Sequence, residues 1–278
     1  GYRAGNPISA ETMQTLEEKH FDLIHSHCPV ASTVLARLVR DRIHVPLIFT
    51  YHTKFDIDIA NAIRGKLLQD EAKRVLVDNI SACDEVWVVS RGAGENLRSL
   101  GYEGDYIVMP NGCDLPKFDT TADMKAMIRR KHNIPQNVPI LLFVGRMMWY
   151  KNIRIILEAC KLIKDNGKDF RMIMIGMGPE EMQIKRLCTK LGLNDKVIFT
   201  GQILDRTELQ MYYGTADLQV FPSIFDTNGL VVREAAASAT PTIVVKDSCA
   251  SEGIVDCETG FLCLESPHSV AKTIENVV

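Results

Sequence analysis

Ten short apolar runs, most rich in β-branched residues, alternate with longer amphipathic segments from one end of this chain to the other. The expected strands are Asp22–Ser26, Pro46–Tyr51, Asp84–Val89, Asp105–Met109, Pro139–Val144, Phe170–Ile175, Lys196–Thr200, Ala216–Phe221, Pro241–Val245 and Gly260–Cys263. Most are nearly continuous in apolar character, as parallel strands covered on both faces must be. Helical spacing marks Val30–Asp41, Ile57–Ala82, Gly92–Leu100, Asn152–Asn166, Glu180–Leu191, Arg206–Gly214 and Leu230–Ser238 between them. Such alternation predicts α/β layering with right-handed crossovers.

One stretch interrupts the pattern. Pro110-Asn111-Gly112-Cys113-Asp114-Leu115-Pro116 is rich in turn formers, and a short helix with Met124, Met127 and Ile128 on one stripe follows. Pro135-Gln136-Asn137-Val138-Pro139 then leads into the next strand. The sequence therefore predicts two Rossmann-like, doubly wound domains, 1–118 and 119–278, facing across a cleft at the carboxyl ends of their strands. The opening residues Gly1 to Pro7 lack a Met and enter mid-pattern, and His268 to Val278 read as a helix cut short, so a fragment is expected.

Composition excludes several classes. Lys and Arg number 32 against 35 Asp and Glu, a net charge of -3, which argues against a globally basic nucleic-acid binder. No apolar run approaches the roughly 20 residues that span a bilayer. The eight cysteines include no C-x-x-C pair, and Cys28, Cys83, Cys160 and Cys188 read as reduced thiols. A cytoplasmic protein without structural zinc is the expectation.

Two segments carry the chemistry. Gly145-Arg146-Met147-Met148-Trp149-Tyr150-Lys151 follows an expected strand and precedes a helix, so two cations stand where a helix amino terminus already favours anions. A diphosphate is a natural ligand there, and a surface loop with solvated charges is the alternative. The second segment runs from Phe221-Pro222-Ser223 through Asp226, Asn228, Gly229 and Leu230 to Glu234. Asn228 with Gly229 can cap a helix, free amides of Gly229 and Leu230 can meet a phosphate, and Asp226 and Glu234 can bracket a polyhydroxylated ligand. Otherwise Asp226 is a turn former and Glu234 a solvated helix residue.

Together these segments resemble the retaining glycosyltransferases of family 4 (glycosyl transferases group 1), which have the GT-B fold. Gly145-Arg146 through Lys151 is similar to the G-R-x-x-x-x-K motif, and Asp226 to Glu234 to the E-x7-E motif. Ile175-Gly176-Met177-Gly178-Pro179-Glu180 resembles the G-x-G-P-E turn, Val197–Gly201 the V-x-F-x-G strand, and Pro110–Asp114 the N-G-V-D segment. The resemblance implies that Gly145, Arg146, Gly176 and Lys151 hold the diphosphate of a nucleotide sugar, and that Glu234 binds its ribose. It implies that Asp226, with the amides of Asn228, Gly229 and Leu230, holds the donor sugar and the neighbouring phosphate. Asp stands where the family usually has Glu, one methylene longer. No metal and no cofactor are implied, the nucleotide sugar being a substrate. Relative to the family pattern, the first strands of the first domain and the end of the last helix are expected to be missing.

His52, in Thr50-Tyr51-His52-Thr53-Lys54-Phe55, ends an expected strand and by itself reads as a structural residue. The resemblance implies instead that it faces the donor sugar, with Arg146 and Lys151 completing the catalytic set. The Y-H-T form resembles members that glycosylate lipids such as diacylglycerol, so the expected acceptor is a lipid or other sugar-accepting hydroxyl. His25-Ser26-His27 also ends a strand, and its two rings are expected on opposite faces, which disfavours a metal pair.

Other features remain open. The basic amphipathic segment Ile57–Ala82, with Arg64, Lys66, Lys73 and Arg74, can lie on anionic lipid as a peripheral contact or face the core with a charged outer side. Asp56-Ile57-Asp58 reads as a solvated helix start rather than a metal motif. Gly176-x-Gly178 and Gly92-x-Gly94 have Glu181 and Leu97 at the third glycine position, so a nicotinamide-dependent oxidoreductase is weakly supported. A non-catalytic nucleotide-sugar-binding partner subunit is the remaining alternative.

Overall fold

The computed structural model describes residues 9–113 and 115–278. Gly1 to Pro7 and Asp114, on which the readings of the chain's opening and of the interdomain turn partly rest, lie outside the described residues. Two compact units divide between Asn111 and Gly112. Phe118, the expected boundary, belongs to the second unit, where its amide donates to the Ala237 carbonyl at 3.1 Å.

The first unit runs α1 (Ala10–Glu17), β1 (Ile24–Ser26), α2 (Ala31–Ile43), β2 (Leu47–Tyr51), α3 (Phe55–Ala62), α4 (Lys66–Ser81), β3 (Glu85–Val88), α5 (Arg91–Ser99) and β4 (Ile107–Val108). Its strands form a parallel sheet in the order β1-β2-β3-β4. The second unit runs α6 (Ala122–Lys131), β5 (Ile140–Val144), α7 (Ile153–Asp165), β6 (Arg171–Ile175), α8 (Glu181–Lys190), β7 (Val197–Gly201), α9 (Arg206–Thr215) and β8 (Leu218–Phe221). It continues with α10 (Leu230–Ala237), β9 (Thr242–Val245), β10 (Phe261–Cys263) and α11 (Pro267–Val277). Its parallel sheet has the order β10-β9-β8-β5-β6-β7.

Strand periodicity explains why the central runs are apolar throughout. Leu141 and Phe143 of β5 pack with α7, α8 and α11 on one side of the sheet, whereas Ile140, Leu142 and Val144 pack with α6 and α9 on the other. Met172 and Met174 of β6 join the first layer, and Ile173 and Ile175 the second. Every position of such a strand is inside, so none can be polar without a partner.

Two helical expectations change. The segment Ile57–Ala82 is two helices, because Gly65 adopts φ +98°, a left-handed conformation that breaks the helix and that side chains with a Cβ resist. Gln69 Nε2 then donates to the Ile63 carbonyl at 2.8 Å across the break. Helix α1 has no counterpart among the expected helices, since Met13 is its one buried residue and its apolar stripe is correspondingly thin. Ser9 caps it, accepting from the Thr12 amide at 3.4 Å.

Both units start a strand in the same way. Asp84, just before β3, accepts the amide of Leu47 at the head of β2 at 2.7 Å, and Asp217, just before β8, accepts that of Ile140 at the head of β5 at 2.8 Å. Arg40 and Arg129 stand 3.7 Å from these carboxylates. Asp217→Ala is expected to lower unfolding stability in urea by about 1 kcal/mol, because the strand-head amide loses its acceptor. Asp41→Ala, which removes an exposed ion pair with Arg40, should stay within about 0.5 kcal/mol of wild type.

Candidate active site

In the second sheet β5 and β8 are neighbours, yet the chain leaves them in opposite directions, towards β6 and β9. Loops diverge at such a point and leave a crevice beyond the strands' carboxyl ends. The loop after β5 carries Gly145 to Asn152, and the loop after β8 carries Pro222 to Gly229. Lys151, in a 3-10 turn over Trp149–Lys151, donates from Nζ to Asp226 Oδ2 at 2.5 Å. Both side chains are largely withdrawn from water, at 15% and 21% exposure. Asp226 Oδ1 accepts the Gly229 amide at 3.2 Å, and the Asn228 amide bonds the same carboxylate. Burial pushes the Asp226 carboxyl upward, but the Lys151 charge and hydrogen bond with those amides outweigh it and hold the group below the ordinary aspartate range.

Asn152 ties the loops a second time. Held at φ 57°, it donates from Nδ2 to the Pro222 carbonyl and to Glu265, each at 2.8 Å. The expectation of a free Gly229 amide is overturned, because Asp226 already takes it. Gly229 itself, at φ +62°, precedes α10 with no side-chain cap from Asn228, which is buried. The Leu230 amide at the head of α10 has no acceptor among the described residues. The same helix carries Glu234, whose Oε2 accepts from the Tyr213 hydroxyl at 2.9 Å. Burial first, then the Glu234 charge, pushes the Tyr213 hydroxyl well up and keeps it a donor.

The loops after β5 and β6 are pressed together. Gly145 donates to the Ile175 carbonyl at 3.0 Å, Met147 to that of Met177 at 3.1 Å, and Trp149 to Glu180 Oε2 at 2.6 Å. A Cβ on Gly176, which sits at φ +133°, would lie 2.0 Å from the Gly145 oxygen, and one on Gly178 would lie 2.3 Å from that of Met147. Beside this contact is a cavity of about 750 Å³ lined by Gly145, Arg146, Gly176, Gly178, Gln202 and Ile203 among others. That volume suits a nucleotide-sized ligand, and the exposed Arg146 stands on its wall.

The second unit thus places Gly145, Arg146 and Gly176 on the cavity, and gathers Lys151, Asp226, Asn228, Gly229 and Leu230 at the β5–β8 crevice. His52 follows β2 in the first unit. The expectation for His25 and His27 was geometrically wrong: two residues apart on an extended chain is one full repeat, so both rings share a face. Their centroids are 4.2 Å apart, and His27 Nδ1 lies 2.9 Å from His52 Nε2. Among the described residues no three His, Cys, Asp or Glu side chains are arranged to hold a metal ion. Asn152 and Tyr213, which hold the candidate residues of the second unit, and His27, which meets His52 in the first, were missed. Only His27 carried a usable signal, the two-residue spacing itself.

The model for glycosyl transferases group 1 matches residues 124–278, and that for glycosyltransferase family 4 matches residues 4–117. The chain belongs to glycosyl transferases group 1. An alpha-monoglucosyldiacylglycerol synthase of Streptococcus pneumoniae is 27% identical over 84% of this chain and 54% of its own length. A D-inositol 3-phosphate glycosyltransferase of Corynebacterium diphtheriae is 30% identical over 87% of this chain and 58% of its own. The chain thus spans little more than half of these relatives. The Anabaena protein HepE, solved in complex with UDP and glucose, has the same fold, with a TM-score of 0.80 at 21% identity over 96% of this chain and 70% of its own. Sucrose-phosphate synthase from Thermosynechococcus elongatus aligns with a TM-score of 0.79 at 26% identity, over 96% of this chain and 67% of that one. These matches establish the GT-B architecture for this group 1 member.

Two outcomes follow from the packing of the site. Gly176→Ala should destabilise the second unit by at least about 2 kcal/mol in chemical denaturation, since a Cβ at that φ meets backbone. Asp226→Asn should lose about 1.5–3 kcal/mol at pH 7. A carboxyl depressed in the folded state stabilises above its unfolded pKa, and that contribution is lost as pH falls through the folded value. The gap between wild type and Asp226→Asn in unfolding experiments should therefore narrow below about pH 4.

Proposed function

We propose that the protein transfers a hexose from a nucleoside-diphosphate sugar to an acceptor hydroxyl with retention of anomeric configuration and without a metal. The observation that carries this reading is the pair of cations on the loop after β5, Arg146 on the wall of the glycine-lined cavity beside β6 and Lys151 at the β5–β8 crevice. The cavity's volume suits the nucleoside, with Gln202 and Ile203 on its wall. Arg146 and Lys151 then meet the diphosphate and stabilise it as it departs, the role of a preorganised charge clamp. The Leu230 amide at the start of α10, with no acceptor among the described residues, suits a phosphate oxygen, and Glu234, oriented by Tyr213, suits the ribose hydroxyls.

Asp226 bears on the stereochemistry. Both of its oxygens are engaged, Oδ2 by Lys151 and Oδ1 by the Gly229 amide, so it is a poor nucleophile. That supports a front-face reaction in which the C1–O bond to the diphosphate breaks, the acceptor oxygen takes C1 on the same face, and its proton passes to the departing phosphate. Asp226 meets the donor sugar only when the incoming diphosphate competes for Lys151. His52, at the end of β2, is the candidate for a sugar contact that the first unit offers.

For the acceptor we favour a lipid or a cell-envelope precursor, met by a cytoplasmic protein at the membrane face. The diacylglycerol-glycosylating relative supports it, as do Leu67 and Leu68, exposed on α4 beside Lys66. Lys73 and Arg74 add little, being paired with Asp70 and Glu71 on the same helix. Among the described residues no helix is long and apolar enough to cross a membrane, so the contact proposed is peripheral.

UDP-glucose is the first donor to test, with release of UDP as the readout. Arg146→Ala and Lys151→Ala should each reduce turnover about 30- to 1,000-fold. His52→Ala should lose turnover while its affinity for UDP by calorimetry changes less than about twofold. Wild-type turnover in both cation variants would exclude the diphosphate assignment. UDP binding by a full-length wild type that neither hydrolyses nor transfers any donor of a nucleotide-sugar panel would favour a non-catalytic binder.

A further inference from the structure

Lys151 has one charged partner and two aromatic ones. Its Nζ donates to Asp226 Oδ2 at 2.5 Å, and Asp226 is the one carboxylate within ion-pair distance of it among the described residues. The rings of Tyr150 and Phe221 flank the ammonium, their centroids 5.4 and 5.7 Å away. Tyr150 in turn meets Phe225, the residue before Asp226, edge to face at 6.4 Å. A cation placed between rings and a carboxylate is shielded from water, so cancelling its charge counts for more than it would on an open surface.

Asp226 is anchored independently of Lys151. Its Oδ1 accepts the Gly229 amide at 3.2 Å, and the Asn228 amide also bonds the carboxylate, so the group keeps its place on the loop when Oδ2 changes partner. An incoming diphosphate therefore meets a neutral pair rather than a bare cation. The ammonium has three N–H groups and can touch a phosphate without leaving Asp226, yet the carboxylate beside it still opposes the anion. If Lys151 leaves instead, Oδ2 is left without its charged donor, which costs more than the loss of an ordinary hydrogen bond. Either way the diphosphate alone is penalised. A sugar hydroxyl that donates to Oδ2 offsets that penalty, and a nucleotide without its sugar has no hydroxyl there.

We propose that Asp226 discriminates donor from spent nucleotide: it keeps Lys151 neutralised until a sugar hydroxyl takes Oδ2, so the site grips a diphosphate firmly only while a sugar is attached. This rests on the reading of Lys151 as a diphosphate ligand. The opposite role is a carboxylate that only steadies Lys151 for the phosphate, and then removing its charge weakens diphosphate binding. The sign of the change decides between them. Asp226→Asn is nearly isosteric: its Oδ1 still accepts the Gly229 amide, and the Nδ2 it turns towards Lys151 cannot accept a proton. Asp226→Ser removes the charge a second way, with a hydroxyl that can still accept that amide.

The test uses two ligands of equal charge, titrated calorimetrically into full-length protein that shows a cooperative unfolding transition. One is the β-phosphate methyl ester of UDP, which has no sugar. The other is whichever of UDP-glucose, UDP-galactose and UDP-N-acetylglucosamine binds best. Wild type should hold the UDP-sugar at least about fivefold more tightly than the methyl ester. Asp226→Asn and Asp226→Ser should each bind the methyl ester at least about threefold more tightly than wild type does, and their preference for the UDP-sugar should fall to within about twofold. Weaker or unchanged binding of the methyl ester in a folded variant, an undiminished preference for the sugar, or a wild type without that preference would overturn the proposal. Lys151→Ala tests the underlying reading separately. It should weaken both ligands at least about tenfold, and wild-type affinity there would remove the diphosphate assignment itself.

Discussion

An ammonium and a carboxylate withdrawn from water must pair or lose their charge, and in this molecule that constraint falls between the ends of β5 and β8. Lys151 and Asp226 answer it, 75 residues apart in the chain and joined by a hydrogen bond of 2.5 Å. Each then does a second task. Asp226 gathers the amides that shape the approach to α10, and through that helix it bears on Glu234. Lys151 ends the loop that carries Arg146 along the cavity. Two loops that the chain sends in opposite directions become one site through this contact and through Asn152.

The glycine contact between β5 and β6 is of another kind. Its basis is space: Gly176 and Gly178 let two turns approach more closely than any Cβ would allow. The cavity exists because the backbone is brought that close while the layers above and below remain filled. Charge lies on one side of β5, at Lys151 and Asp226, and bare backbone on the other, at Gly176 and Gly178. In the first unit, parallel pairing of β1 with β2 brings His27 against His52.

Much of the fold was legible because the central strands of the second sheet are buried on both faces and read as apolar runs. All ten expected strands are present, with ends shifted by a few residues at most. The helices were harder where local chemistry competes with periodicity. Gly65 divides what looked like one long helix, and its positive φ is a property of the folded backbone. Helix α1 buries little more than Met13, so no stripe announced it. At the site, Gly145, Arg146, Lys151, Gly176, Asp226 and Glu234 were legible as types at characteristic spacings. The error over His25 and His27 came from misapplying a repeat of two.

The sequence by itself determined the α/β class, the strand-end loops and which of them bear cations, carboxylates and glycines. Those properties are local, written in apolar runs and turn residues within a dozen positions of one another. Only the tertiary structure decided which groups meet. Asp226 takes Lys151 and the Gly229 amide, Glu234 takes the Tyr213 hydroxyl, and Asn152 takes the Pro222 carbonyl. The physical reason is strand order: placing β8 beside β5 rather than beside β7 is set by how whole layers bury their apolar faces, and no single segment encodes it.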